Sequence, residues 1–475
     1  MRLRATQFAF VVLVVASMRF GALAQAASRM NTALANAQVI VTAAPIFHPL
    51  AALQGGERFP QGAQLLRLRA GKTELLVAGF ADTADANVSF DASTVLFSGK
   101  KSKDDPWQIW ELSLKDHSLR RLFAQTGDAI RPMYLPAGQF VFALHTAHGF
   151  QLEVAGKSAS SLVAPVPDDA GDAVVPLTYI RANAIPSDVL LDGRILFESG
   201  YPLGTGTTPE LYLVYSDGSG VESYRCDHGT ARWGGRQLAS GDVVFTQGST
   251  LARFTSPLAH AAPIAAPHAE YAGSIAEISA GTWLVSARSS AVSHYALKQC
   301  KPGAAALQAF FVDAANDLVD PVVITPRPRP HRHPSGLHDW SFANLLALDA
   351  RQSRSGDLKE APASVRLESM DESGHIVAQG TAPVEADGSF FVSTPANRPI
   401  RFALLDGKGN VLRQEQGWFW IRGGEQRYCV GCHTGPERSS ENRVPAVLLR
   451  TTTPVDLTGN ASRPASTRQT GGGGQ

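Results

Sequence analysis

One short pattern recurs five times in the N-terminal part of this 475-residue chain. Each copy is a turn containing Asp, Gly or Ser, followed by a short run of branched and aromatic residues that is typical of a β-strand. The copies occupy residues 90–97, 135–142, 191–197, 239–245 and 279–285, and their last residues are 45, 55, 48 and 40 residues apart. A β-rich repeat with this period predicts the blades of a β-propeller.

Segments between the copies also have the pattern of strands. Residues 108–114 and 210–218 are β-rich runs that end on a turn, and residues 65–68 are a candidate for an earlier copy. The alternation of turn and strand resembles the propeller repeats of the periplasmic Tol system. We therefore predict a propeller of six or seven blades over residues 45–324. A stacked pair of β-sandwiches is the alternative architecture.

A proline-rich linker at residues 325–337 marks the end of the predicted propeller. Its prolines keep the chain extended and remove backbone donors that a sheet would need. Residues 338–425 then contain short strands separated by turns such as Asp387-Gly388, which favour hairpins. These features predict a β-sandwich middle domain, so the expected fold class is all-β. A short C-terminal segment, residues 426–457, and a disordered tail, residues 458–475, complete the predicted domain organisation.

The C-terminal segment contains the sequence Cys-Val-Gly-Cys-His at residues 429–433. Two thiols at this spacing can each form a thioether with a haem vinyl group, and the histidine that follows can bind the iron. We predict a haem c attached through Cys429 and Cys432, with His433 as its axial ligand. A zinc site completed by Cys226, Cys300 or a histidine and a redox dithiol are the alternatives. Both are disfavoured, because the chain has no second Cys-x-x-Cys pair and no βαβ pattern around the motif.

The second axial position of the iron decides what such a haem can do. No methionine follows Met370, so a sixth ligand must come from upstream, come from a partner, or be absent. His333 is our candidate because the stiff linker could position it; the other candidates are His331, His338, His375 and Met370. Trp418 and Trp420 precede the motif and are expected to pack in the sandwich, to shield the haem from water, or to do both.

The N-terminus has the features of a secretory signal peptide, residues 1–24. Arg2 and Arg4 precede an apolar run, and Ala22-Leu23-Ala24 is a small-x-small cleavage site. An uncleaved anchor is the alternative, but the run is short for a membrane span, and no later stretch is long enough to predict one. We therefore expect a periplasmic or secreted protein, the location in which covalent haem attachment is completed. That compartment also permits a disulfide between Cys226 and Cys300, which could equally be unpaired and buried.

Blocks at residues 383–392, 395–399 and 424–433, followed by 435–438 and 441–445, resemble the middle domain and haem segment of hydrazine synthase alpha subunit-like proteins. The resemblance covers about residues 325–455. It implies a propeller, a β-rich middle domain and a covalent c-type haem in an exported protein, with Cys429, Cys432 and His433 at the motif positions. In that family a tyrosine shortly after the motif ligates this haem. No tyrosine follows His433 here, so ligation by His433 is the prediction.

These observations lead to three functional hypotheses. The first is a monohaem c-type cytochrome that transfers electrons to a redox partner protein. The second is a haem-dependent oxidoreductase that acts on a small molecule and is related to the hydrazine synthase alpha subunit. The third is a propeller-based binding module with an accessory haem. Nucleic acid is not an expected partner, because the formal net charge of the chain is only +1.

Overall fold

The recurring turns of the sequence are the first hairpins of antiparallel β-sheets. The computed structural model describes residues 37–69, 72–122, 126–156, 174–225, 227–353, 356–431 and 443–459. In one such turn the carboxylate of Asp91 accepts hydrogen bonds from the Ser89 hydroxyl at 2.7 Å and from the Ser93 amide at 3.1 Å. In another, Gly193 has a φ of 89°, which glycine adopts without steric cost. The pattern found in the sequence therefore reflects the local chemistry of these turns.

Six four-stranded sheets form the propeller in the described part of the chain. The first 12 strands are β1 (Val39–Ala44), β2 (Gln64–Arg69), β3 (Lys72–Leu75), β4 (Asp82–Val88), β5 (Thr94–Lys100), β6 (Gln108–Ser113), β7 (Leu119–Arg121), β8 (Ala129–Tyr134), β9 (Phe140–Thr146), β10 (Gly149–Ala155), β11 (Val175–Pro176) and β12 (Ile185–Val189). The next 12 are β13 (Ile195–Tyr201), β14 (Thr208–Val214), β15 (Glu222–Ser223), β16 (Arg232–Gln237), β17 (Val243–Gln247), β18 (Thr250–Phe254), β19 (Ala262–Pro263), β20 (Glu270–Ser279), β21 (Thr282–Arg288), β22 (Ala296–Cys300), β23 (Gln308–Phe311) and β24 (Asp317–Val323). Blade 1 contains β24 and β1–β3, and blades 2 to 6 each contain four consecutive strands from β4 onward. The predicted propeller is confirmed, with six blades.

The first and last strands of the propeller lie side by side in blade 1. β24 pairs antiparallel with β1, with Thr42 opposite Val319 and Val39 opposite Val323. This pairing closes the ring and leaves neither strand as an open edge. β1 lies ahead of residue 45, where the sequence predicted the propeller to begin, because the repeating pattern marks the hairpin turns and carries no signal for a closing strand.

The innermost strand of every blade carries an irregularity in its pairing. At three of these sites a charged residue has left-handed backbone: Asp85 (φ 61°), Arg131 (φ 54°) and Asp320 (φ 52°). Arg131 contacts Asp320 at 3.2 Å, and Asp85 forms an ion pair of 2.6 Å with Arg58. All four side chains belong to buried residues. Because the innermost strands contact one another in a closed ring, this ionic network fills the propeller axis.

Segments of the chain cover both ends of that axis. At one end the loop between β1 and β2 places Phe47 and Phe59 in a buried cluster with Trp107 and Tyr295. At the other end the proline-rich linker crosses the hairpin turns. There the Arg327 amide donates to the carbonyl of Phe90 in blade 2, and the His331 amide donates to that of Leu191 in blade 4, each at 2.9 Å.

Two further four-stranded sheets form the middle domain, which confirms the predicted sandwich. Its strands are β25 (Phe342–Ala347), β26 (Ser364–Met370), β27 (Ile376–Pro383), β28 (Phe390–Pro395), β29 (Ile400–Leu405), β30 (Val411–Gln414), β31 (Gln426–Cys429) and β32 (Val455–Asp456). One sheet has the order β31-β25-β28-β32 and the other β27-β26-β29-β30. Apolar side chains from both sheets, including Leu345, Val392 and Leu367, form the core between them.

Helices are minor elements of this fold. A 3-10 turn spans Ala52–Gln54, and a short α-helix spans Ala446–Arg450. Neither could cross a membrane, and the described ranges contain no other helix that could.

Candidate functional site

Cys429, the first cysteine of the motif, is the last residue of edge strand β31. β31 runs parallel to β25, with Cys429 opposite Ala347, and the Leu348 amide donates to the Cys429 carbonyl at 2.8 Å. The cysteine is half-buried against the sandwich core. Its neighbour Tyr428 points the other way and is 70% exposed. The strand therefore turns the Cys429 side chain inward at the point where the chain leaves the sheet.

Charged side chains surround this thiol. Burial raises the pKa of Cys429, and the nearby carboxylate of Glu415 acts in the same direction, whereas the positive charge of Arg427 opposes them. Burial also raises the pKa of Glu415 to about 7. The guanidinium of Arg427 lies 5.5 Å from the centre of the Phe419 ring. The site thus combines one thiol with a carboxyl group and a guanidinium cation.

The chain returns to the same end of the sandwich after the motif. Arg443 donates to the Asp387 carboxylate and carbonyl, and the Ala446 amide donates to the same carboxylate at 2.7 Å. The Ala350 amide donates to the Gly388 carbonyl at 2.8 Å, which places this turn beside the end of β25. Cys432 and His433 fall outside the described residues. The chain is therefore anchored on both sides of that segment, at Cys429 and at Arg443. We call the end of the sandwich at which these two residues lie the distal end.

The described half of the motif fits a covalently attached haem. A thioether needs a sulphur at a surface the porphyrin can reach, and Cys429 lies at the last position of an edge strand. The described part of the chain contains no cluster of three or more residues able to hold a metal ion. Cys300, by contrast, is fully buried, and Cys226 is outside the described residues, so their disulfide stays a prediction.

The two tryptophans before the motif lie at the opposite end of the sandwich, against the propeller. Trp420 is fully buried, and its indole nitrogen donates to the Gly218 carbonyl of blade 4 at 2.9 Å. Trp418 is 3% exposed, and its amide donates to the Leu203 carbonyl at 2.8 Å. These contacts give both residues an interface role. The haem-shielding role stays a prediction.

The candidate sixth ligands in the linker contact the propeller. The His333 imidazole stacks on Tyr215 with ring centres 3.9 Å apart and lies 3.4 Å from the Asp217 carboxylate, both in blade 4. His331 contacts the same blade through its backbone. His338 pairs with Gly423 before β25 begins. Phe342, the first residue of β25, and Ala347, which lies opposite Cys429, are roughly 16 Å apart along the strand.

Met370 and His375 belong to the end of the sandwich that faces the propeller. Met370 is the last residue of β26 and pairs with Ile376. In the turn that follows, the Glu372 carbonyl accepts a hydrogen bond from Arg181 of the propeller. The structure therefore places Met370 and His375 at the propeller-facing end of the sandwich, whereas His331 and His333 contact blade 4.

Sequence reasoning missed Arg427, Glu415 and Glu425, the charged residues that act on the pKa of the thiol. A signal for Arg427 was present, because residues two apart on a strand share a face, and Arg427 precedes Cys429 by two. Glu415 carried no such signal. It belongs to the other sheet, and only packing of the two sheets brings it near.

A second concave surface lies on the propeller. A cavity of about 660 Å³ is bounded by the loop after β1 and by blades 5 and 6, with His48, Trp233, Arg288 and His294 among its lining residues. The Arg288 guanidinium is already paired with Glu270 at 2.6 Å, and the His294 ring lies 3.3 Å from Asp317. Two of the charged or titratable groups that line the cavity are thus already paired.

These features define a class of protein: a six-bladed propeller joined to a β-sandwich with Cys429 at the end of its edge strand. Residues 350–434 match the family described as hydrazine synthase alpha subunit middle domain. No curated protein matches the chain by sequence.

Comparison with solved structures extends the similarity to the propeller. The structure of Kuenenia stuttgartiensis hydrazine synthase matches with a TM-score of 0.75 and 16% identity, over 87% of this chain and 72% of that one. TolB from Acinetobacter baumannii has a TM-score of 0.41 and 11% identity, over 61% of this chain and 66% of that one. A Mycobacterium tuberculosis puromycin-hydrolyzing peptidase has a TM-score of 0.38 and 15% identity, over 55% of this chain and 43% of that one. The chain is therefore similar to the hydrazine synthase alpha subunit in its middle domain and shares the fold of hydrazine synthase over most of its length.

Proposed function

We propose that this protein is an exported haem c oxidoreductase related to the hydrazine synthase alpha subunit and that it acts on a small molecule. The family match carries the proposal, because residues 350–434 include the whole Cys-x-x-Cys-His motif. In this proposal Cys429 and Cys432 attach the haem and His433 binds its iron. The predicted signal peptide at residues 1–24, which lies outside the described residues, supports export.

The placement of the candidate sixth ligands favours small-molecule chemistry over simple electron transfer. The imidazole of His333 is held on the propeller by Asp217 and Tyr215. The strand β25 separates His338 from the distal end. An iron that lacks a second protein ligand can bind a small molecule at its open face. In this proposal the described side chains leave the iron available to a small-molecule substrate.

The haem would supply the redox chemistry, and the protein would supply its surroundings. The sandwich core would cover one side of the attachment site with apolar side chains such as Phe419 and Phe390. Glu415 would provide a carboxyl near the sulphur that can exchange a proton near neutral pH, because burial raises its pKa to about 7. The propeller would hold the other end of the sandwich rigid through Trp420 and Gly218.

Electron transfer to a partner protein is the second candidate. It is favoured by exposed apolar side chains on both sides of the motif in sequence. Tyr428 precedes the motif and is 70% exposed, and Val444 and Leu449 follow it and are 59% and 75% exposed. Exposed apolar side chains next to a redox centre are suited to a transient protein contact.

Absorption spectra and intact mass of the mature protein test the proposal, after expression with haem-attachment machinery. We expect a Soret band, the added mass of one haem, and a reduced high-spin spectrum that changes on addition of carbon monoxide. The double variant Cys429→Ala, Cys432→Ala should lose all three. A wild-type protein without covalent haem would refute the proposal, and a low-spin haem that ignores carbon monoxide would favour the electron carrier instead.

A further inference from the structure

We propose that the cavity between the loop after β1 and blades 5 and 6 binds a neutral, polyhydroxylated ligand of the size of a mono- or disaccharide. We call this cavity the cap cavity and the loop, residues 45–63, the cap loop. The inference is independent of haem attachment, and it gives the propeller a ligand site of its own.

The walls of the cap cavity are fixed before any ligand arrives. In the cap loop the Phe47 amide donates to the Asp317 carboxylate at 2.9 Å, and the Leu53 carbonyl accepts a hydrogen bond of 3.0 Å from the side chain of Asn183. Phe47 also stacks on Phe59 with ring centres 5.4 Å apart. The cavity of about 660 Å³ is therefore preformed, and it lies within the range of roughly 300–1,000 Å³ that is usual for small-molecule sites.

His294 presents a hydrogen-bond acceptor to this cavity. Its Nδ1 lies 3.3 Å from the Asp317 carboxylate, which is buried and also accepts from the Tyr295 amide at 2.8 Å. Because a carboxylate only accepts hydrogen bonds, the proton of the neutral imidazole is on Nδ1, and Nε2 is left as an acceptor. The side chain of His294 lines the cavity and is 37% exposed, so a ligand can reach it.

Arg288 presents a donor on the wall formed by blade 6. Its Nε and Nη2 donate to the two oxygens of Glu270 at 2.9 and 2.6 Å, and its guanidinium lies 4.3 Å from the centre of the Tyr295 ring. These contacts hold the planar group in one orientation. Among the hydrogen bonds between described residues they use only two of its three nitrogens, which leaves Nη1 for a ligand.

The two groups together select hydroxyl groups. A hydroxyl both donates, as His294 requires, and accepts, as Arg288 requires, and neighbouring hydroxyls of one sugar ring can serve both. Trp233 of blade 5 also lines the cavity, and its indole nitrogen is buried. What it offers a ligand is thus apolar ring surface, against which the C–H face of a sugar can pack.

The charge of the lining indicates that the ligand is neutral. Among the described residues that line the cavity, Arg288 and Asp317 alone carry a formal charge when the histidines are neutral, and the two charges are opposite. Each is already compensated, Arg288 by Glu270 and Asp317 by the groups that donate to it. An ion entering the cavity would lose water without gaining an unpaired countercharge, which costs free energy.

Calorimetric titration of the purified full chain tests the inference. The neutral probes are glucose, galactose, mannose, maltose and cellobiose, and the charged counterparts are glucuronate and glucosamine. We expect at least one neutral sugar to bind and neither charged counterpart to bind more tightly than it. Absence of binding by every neutral sugar at about 10 mM, a concentration that detects even millimolar affinity, would overturn the inference. Tightest binding by a charged counterpart would overturn it as well.

Variants of His294 place the bound sugar in the cap cavity. We expect the Kd to rise roughly fivefold in His294→Ala, the loss expected for one hydrogen bond between neutral groups. His294→Gln should restore part of the affinity, because an amide oxygen can also accept. His148→Ala, at an exposed histidine of blade 3 outside the lining, is the control and should match the wild type.

A further variant separates loss of the site from loss of the fold. Ala291→Leu narrows the cavity at an exposed residue of its wall and removes no side-chain hydrogen bond, whereas Ala305→Leu adds the same side chain at an exposed residue outside the lining. Only Ala291→Leu should weaken binding. Unchanged affinity in Ala291→Leu or in His294→Ala would overturn the inference. A chain that binds the sugar but carries no haem would support it and refute the proposed function.

Discussion

At the scale of single residues, buried ionisable groups differ in how well they are compensated. Burial alone would raise the pKa of Asp85, but Arg58 and Arg131 lower it to about 2. Glu153 on β10 is buried as well, and burial raises its pKa to about 8, with only Arg422 opposing. The carboxylate of Asp85 therefore stabilises the fold at neutral pH, whereas ionisation of Glu153 destabilises it.

Replacing Glu153 with glutamine should stabilise the protein in a pH-dependent way. Because its pKa is higher in the folded chain than in the unfolded chain, the wild type loses stability as pH rises from about 4.5 to about 8. Glutamine stays neutral throughout, so Glu153→Gln should gain on the order of 3 kcal/mol at pH 8 and almost nothing at pH 4.5. Denaturant unfolding at a series of pH values would measure the difference. Glu74→Gln, at a side chain that is 61% exposed, is the control and should show no comparable trend.

At the scale of elements, the end of the sandwich that faces blades 3 and 4 is anchored by side chains that follow β30. Trp420 lies in the same buried cluster as Leu177, Tyr212 and Val221 of the propeller. Arg422 donates to the Pro176 carbonyl at 3.0 Å. The propeller and the sandwich therefore share one continuous apolar core at this interface.

Replacing Trp420 with alanine should weaken that shared core. Loss of a fully buried indole and of its hydrogen bond to Gly218 should cost about 3–5 kcal/mol. We expect calorimetry to show the sandwich unfolding earlier than in the wild type. Trp340→Ala, at a side chain that is 37% exposed, should cost far less. Equal effects of the two substitutions would contradict the assigned interface role.

At the scale of the whole molecule, stability of the propeller depends on closing the ring. β1 is paired on both sides, with β24 and with β2, and Val41 at its centre is fully buried opposite Leu66. The closure joins the two ends of the propeller sequence in one sheet. All six blades should therefore respond to damage in this strand.

Substitution of Val41 by aspartate should destabilise the entire propeller. An unpaired carboxylate in this position should cost about 4 kcal/mol or more, and the propeller should lose its structure in one step. Thermal unfolding followed by circular dichroism would measure the loss. Val292→Asp introduces the same charge at a residue that is 95% exposed and should change stability by less than about 0.5 kcal/mol. A wild-type melting curve for Val41→Asp would show that ring closure does not limit stability.

Several features of this protein follow from its sequence alone. The turns at Asp91 and Gly193 and the strands after them form through local hydrogen bonds and backbone preferences, so the repeat predicted the propeller hairpins. The turn at Asp387-Gly388 forms as predicted, but it connects β27 to β28 in different sheets, so the predicted hairpin is wrong there. The Cys-x-x-Cys-His spacing is likewise local, and it is sufficient to propose haem attachment.

Other features depended on contacts between distant parts of the chain. Pairing of β1 with β24 set the number of blades at six. Parallel pairing of β25 with β31 placed Cys429 opposite Ala347, at the last position of an edge strand. Packing of the two sheets brought Glu415 near the thiol, and docking on blade 4 brought Val221 to Arg427. Such contacts depend on which surfaces bury one another after the strands have formed, and spacing along the chain does not encode that choice.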